Sequence, residues 1–130
     1  MLNPDLVGRT FVGANSFTVT EESISEFCLA IGEPNISVAP PTFTIKVTLA
    51  ESESLLKNSG LDWTRVVHGD QRFHIHRPIV AGDQLTCSST IENARAVAGN
   101  EIVTVRSDLH NSENANELIA SSWSTLVVRA

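Results

Sequence analysis

Three of the four histidines of this chain fall in one stretch, His68-Gly69-Asp70-Gln71-Arg72-Phe73-His74-Ile75-His76-Arg77-Pro78-Ile79-Val80-Ala81-Gly82-Asp83. Imidazoles alternating with a carboxylate are the residue types of a general acid–base or metal site. Alternation is also the period of a strand, which puts Gln71, Phe73, Ile75 and Arg77 on one face and His68, Asp70, Arg72, His74 and His76 on the other. Side chains two apart on a flat strand stand roughly 6–7 Å from each other, whereas zinc ligands must converge on one point. With Phe73 and Ile75 packed inward, the histidines are expected on a polar outer face, open to solvent or covered by a second subunit. No metal site is expected, and only His68, nearest the strand's start, is kept as a residue that lines a site.

Two further segments carry candidate chemistry. In Ala30-Ile31-Gly32-Glu33-Pro34-Asn35, the Glu33 carboxylate sits between one helix end and the next helix start. It is placed to act as a base on a bound substrate, and it is also what a solvated residue beside a helix-ending glycine looks like. In Pro40-Pro41-Thr42-Phe43, a Thr42 in the first helical turn has an N–H with no partner inside the helix. Such an N–H suits a thioester carbonyl or its oxyanion, although proline is also simply favoured in first turns. Glu33 is thus a weak candidate base, and Pro41, Thr42, Phe43 and His68 are candidate substrate-binding residues. Cys28 and Cys87 lack metal-ligand spacing and read as small core or interface residues. Asp108, His110 and Trp123 read as structural.

These residues must be positioned by elements. Thr20 before Glu21, Glu22 and Ser23 predicts a helix N-cap; Ile24, Phe27, Cys28 and Ile31 form an apolar stripe, and Gly32 with Pro34 ends it. A second helix is predicted from about Thr42 to Asn58, stopped by Gly60. Its Phe43, Ile45, Val47, Leu49, Leu55 and Leu56 lie on most sides, as in a helix wrapped by other structure. The β-branched run Thr42–Thr48 also fits a strand. Residues 9–20 are predicted as a short hairpin or extended lead-in, turning at Gly13-Ala14-Asn15-Ser16. Period-two strands are predicted at Val66–Pro78, Gln84–Ala98, Glu101–Asn111 and Leu118–Val128, joined as an antiparallel meander. The layout is α+β, one domain over residues 1–130, with the sheet curled round the long helix.

Composition narrows the function classes. A net charge of −6, with nine Lys and Arg scattered singly, leaves no basic patch for a phosphate backbone, so no nucleic-acid partner is expected. No apolar run approaches the roughly 20 residues of a membrane span, and Met1–Thr10 has no apolar core of a signal peptide. A cytoplasmic location is expected.

The ordered pieces Phe17-Thr18-Val19-Thr20, Ala30-Ile31-Gly32-Glu33-Pro34-Asn35, Ala39-Pro40-Pro41-Thr42-Phe43, His68-Gly69-Asp70-Gln71-Arg72-Phe73 and Arg77-Pro78-Ile79-Val80-Ala81-Gly82-Asp83-Gln84-Leu85 span nearly the whole chain. Together they resemble the MaoC-like dehydratase N-terminal family. More narrowly, they resemble small proteins related to the HadA and HadC subunits of (3R)-hydroxyacyl-thioester dehydratase. The resemblance implies a hot-dog fold and a dimer whose sheets join edge to edge, with an acyl-CoA or acyl-carrier-protein thioester entering at the interface and no cofactor. Family hydratases carry Gly-Asp-x-Asn-Pro-x-His, whose Asp and His do the chemistry. Here Glu33 stands at the Asp position and Val38 at the His position, and the link to Pro40-Pro41 is shorter than in relatives. The resemblance therefore implies a non-catalytic or accessory subunit, a homodimer or a heterodimer with a catalytic MaoC-like chain. The alternatives are a homodimeric hydratase or thioesterase using Glu33, or an acyl-thioester binding module.

Overall fold

In the computed structural model, which describes residues 2–130, local sequence signals set both helices. Helix α1 (Glu21–Ile31) opens on a reciprocal cap: the Ser23 N–H donates to Thr20 Oγ1 and the Thr20 N–H to Ser23 Oγ, both at 3.0 Å. It closes at Gly32, whose φ of 75° is left-handed, with the Glu33 N–H reaching the Cys28 carbonyl at 2.8 Å. Ile24 and Cys28 are buried as the stripe predicts, but Ile31 stays exposed. A single 3-10 turn, Pro41–Phe43, leads into helix α2 (Thr44–Asn58). The β-branched start is therefore helical, because Phe43 is fully buried with the edges of Phe17 and Phe27 against its ring.

Five strands, β1 (Thr10–Thr18), β2 (Val66–Ile75), β3 (Gln84–Val97), β4 (Asn100–Asn111) and β5 (Asn114–Val128), form one antiparallel sheet in the order β1-β3-β4-β5-β2. Two predictions are corrected here. The meander contains only β3, β4 and β5, and β2 crosses over to pair with β5 at the edge. Residues 10–18 make a single strand, not a hairpin: its pairing with β3 runs from Val12↔Ser88 to Ser16↔Thr86, so Gly13-Ala14-Asn15 bulge out. A bulge and a tight turn draw on the same small polar residues, so composition could not separate them. The β4–β5 turn is also tighter than predicted. Asn111 Oδ1 accepts the Glu113 N–H at 2.9 Å, so the polar hairpin tip needs no apolar alternation to form.

α2 lies on the concave face of this sheet, giving the hot-dog layout. Its buried face is rich in hydroxyls, not apolar all round: Thr44, Val47, Thr48, Ser52 and Leu56 point inward, while Ile45, Leu49 and Leu55 are half-buried. Thr48 meets Ser122 at 3.3 Å, and Ser52, Ser107 and Ser89 form a chain with links of 3.3 and 3.2 Å. These hydroxyls pair with one another between two apolar clusters, one around Phe43, Ile79 and Leu109 and one around Leu56, Ile91 and Leu126.

Candidate functional site

The Gly32 cap turns the chain sharply out of α1 and sets the next residues on the surface. Glu33 Oε1 accepts the Asn35 N–H at 2.9 Å, and Asn35 Oδ1 accepts both the Ser37 N–H at 3.0 Å and the Ser37 hydroxyl at 2.6 Å. These bonds fold the loop on itself beside a cleft of about 200 Å3 lined by Glu33, Asn35, Val38, Ala39, Pro40 and Pro41. The far wall of the cleft is fixed by the segment after β2. Ala39 N–H donates to the Ile79 carbonyl at 2.8 Å, and Ile79 is buried. Arg77 holds that segment in shape: its Nη1 and Nη2 bind the two Asp83 oxygens at 2.9 and 3.0 Å, and its Nε binds Glu117 at 2.6 Å. The Asp83 and then the Glu117 hydrogen bonds hold the Arg77 guanidinium well above its ordinary range. Burial pushes the Asp83 carboxyl up, but the bonds from Arg77 and from the Val80 N–H, with the Arg77 charge, outweigh it and hold it below its ordinary value. The Arg-Pro-Ile-Val-Ala-Gly-Asp element is thus a clamp that supports the cleft.

At the mouth of α2, Pro40 and Pro41 have no N–H, Phe43 N–H goes to the Pro40 carbonyl at 2.9 Å, and Thr44 N–H goes to Pro41 and Thr42. Thr42, exposed, carries the first amide of the turn, which has no carbonyl behind it to reach. Pro41 lines the cleft, whereas Phe43 is fully buried beneath it. Val38 is half-buried and brings no titratable group to Glu33. The cleft can therefore offer one carboxylate, while the Thr42 amide, at the start of the turn before α2, lies outside its lining residues.

His68 is not among the lining residues. It pairs with the buried Leu126, while Asp70 pairs with Thr125, the register slipping at Gly69. The bulge turns His68 to the face of Gln71 and Phe73, opposite to the strand phase expected, because one extra residue reverses the alternation. Asp70, Arg72, His74 and His76 are exposed on the outer face; the His74 and His76 rings stack at 4.3 Å, and Arg72 lies 4.6 Å from the Trp123 ring centre. Among the described residues no group of three or more His, Cys, Asp or Glu comes together as metal ligands. No helix there is long and apolar enough to cross a membrane.

Two residues escaped the sequence reading. Thr44 Oγ1 is buried with no hydrogen-bond partner, and Glu51 lines a second, larger cavity. Spacing could have flagged both, since Thr44, Val47, Thr48, Glu51 and Ser52 recur at intervals of three and four on one side of α2.

Residues 35–121 match the model described as the FAS1-like, dehydratase domain region. A UPF0336 protein of Streptomyces coelicolor is 37% identical over 146 aligned residues, covering 99% of this chain and 96% of that one. The alignment is longer than this chain, so the relative holds residues with no counterpart here. Among solved structures, a MaoC-like dehydratase superposes with a TM-score of 0.86 at 25% identity, over 96% of this chain but only 42% of that one. The C-terminally truncated HadBC (3R-hydroxyacyl-ACP dehydratase) complex from Mycobacterium tuberculosis gives a TM-score of 0.77 at 28% identity, over 97% of this chain and 99% of that one.

Proposed function

Since the chain belongs to the FAS1-like dehydratase-region family, among the MaoC-like hot-dog proteins, we propose that it is the accessory, non-catalytic subunit of a cytoplasmic acyl-thioester dehydratase. It pairs with a MaoC-like chain that bears the Asp and His, and it helps to shape the channel for the CoA or carrier-protein thioester. One observation carries this reading. Glu33 faces the cleft alone, its carboxylate already holding the Asn35 N–H, and Val38 stands where a second acid–base group is needed. Dehydration of a 3-hydroxyacyl thioester requires one group to take the α-proton and one to protonate the leaving hydroxyl. A single carboxylate in hydrogen-bonded use supplies one of these roles at most. Pro41 and the Thr42 amide remain to contact the thioester end of the substrate, and His68, on the helix-facing side of an edge strand, to line the shared channel.

The test is dehydration of a (3R)-hydroxyacyl-CoA by the purified chain alone and by the chain with a catalytic MaoC-like partner. Turnover is expected only with the partner, and Glu33→Gln in this chain is expected to leave it within about twofold. Turnover by the isolated chain that disappears in Glu33→Gln would overturn the proposal in favour of a single-carboxylate enzyme.

A further inference from the structure

A cavity of about 460 Å3, larger than the cleft at Glu33 and sharing no lining residue with it, opens between the β1 bulge and the C-terminal half of α2. One wall is apolar, made by Leu6, Phe11, Val12 and Leu55, and Val12 is 71% exposed there. The other wall carries Glu51. Its carboxylate lies against Gly13: a Cβ on residue 13 would stand 2.7 Å from Glu51 Oε2 and 3.0 Å from the Cys87 carbonyl oxygen. The missing side chain in the bulge is what lets the carboxylate settle.

Glu51 is half-buried, and among the described residues no cation pairs with it; the ion pairs go instead to Glu53, Asp83, Glu117, Glu92 and Asp108. Its charge also reaches the interior. Burial first, and the Glu51 charge among the smaller causes, push the Cys87 thiol up to about 11. A half-buried carboxylate that no cation of the chain engages is free to pair with a cation entering from solvent. The adjoining apolar wall offers burial to whatever carries that cation, and the volume falls in the range of about 300–1,000 Å3 usual for small-molecule sites. A net charge of −6 favours the approach of cations over anions.

We infer that this cavity binds a small organic cation, a protonated amine with a short apolar body, its head on Glu51 and its body against Phe11, Val12 and Leu55. The Ser54 hydroxyl and the Asn58 side-chain carbonyl, also at the cavity, supply further acceptors for the ammonium protons. The site is independent of the proposed dehydratase role, so failure of either leaves the other standing.

The experiment is an NMR titration of the isotope-labelled chain with n-hexylammonium at neutral pH, using hexanol and hexanoate as controls, in wild type and Glu51→Gln. Hexylammonium alone should give saturable shifts at the Gly13, Ala14 and Ser54 amides, weakened at least about tenfold in Glu51→Gln, as loss of a charge-assisted contact requires. The absence of saturable shifts in wild type overturns the inference. So do shifts that survive Glu51→Gln unchanged, that hexanoate or hexanol reproduces, or that fall elsewhere. Should Glu51→Gln lose its folded spectrum, the wild-type comparison of the three ligands decides the matter.

Discussion

Asp83, half-buried, and Thr44, buried, show how differently two polar side chains can stand. Asp83 accepts three hydrogen bonds, two of them from Arg77, and its carboxyl is held below its ordinary value. A depressed carboxyl contributes stability that is fully present above its unfolded pKa and is lost as pH falls through the lower folded value. Asp83→Asn should therefore destabilise the chain at neutral pH by about 1–3 kcal/mol. The gap from wild type should narrow below about pH 4, as measured by urea melts across pH; a gap constant with pH would remove the charge from this account. Thr44 is the opposite case, a buried hydroxyl with no partner. Thr44→Val keeps the shape and removes the unmet hydroxyl, so thermal melts should show unchanged or higher stability, by up to about 1 kcal/mol. A clear loss would mean that the hydroxyl has a partner in solution. The residue types behind the cleft were legible in the sequence, since Glu33 and Pro41 do line it. The burial of Phe43 and the place of His68 were not. They depend on which side of an element faces the core, and a single bulge reverses that.

At the scale of elements, end signals outperformed interior patterns. The Thr20 cap and the Gly32 stop both sit where the sequence puts them, because caps are satisfied by residues within a few positions. Gly32→Ala should cost about 1 kcal/mol by forcing a Cβ into the left-handed region at φ 75°. It should also loosen the Glu33 loop, seen as faster amide exchange at Glu33 and Asn35; unaltered exchange would detach the loop from its cap. Interior patterns misled where two structures share one composition. Gly13-Ala14-Asn15-Ser16 reads as a turn, but Gly13-Ala14-Asn15 bulge from a continuous strand, and the apolar positions of α2 suggested wrapping on most sides where a seam of hydroxyls faces the sheet.

For the whole molecule, the unpaired edge of β2 is a surface that folded proteins seldom leave open, since its free amides and carbonyls invite another strand. Under the proposed role, mixing the chain with a catalytic MaoC-like partner should give a one-to-one complex by analytical ultracentrifugation, with amide exchange slowed along Val66–Ile75. A complex that leaves those amides unprotected would place the contact elsewhere. The sequence by itself determined the ends of α1, the presence of long period-two strands after Trp63 and the α+β class, all properties read over a few neighbouring residues. Only the tertiary structure decided that β2 pairs with β5 and not with β3, that Gly69 turns His68 to the inner face, and that Glu51 rests over Gly13. These contacts join residues tens of positions apart, and they follow from how the whole sheet closes around α2, which no local window of the chain contains.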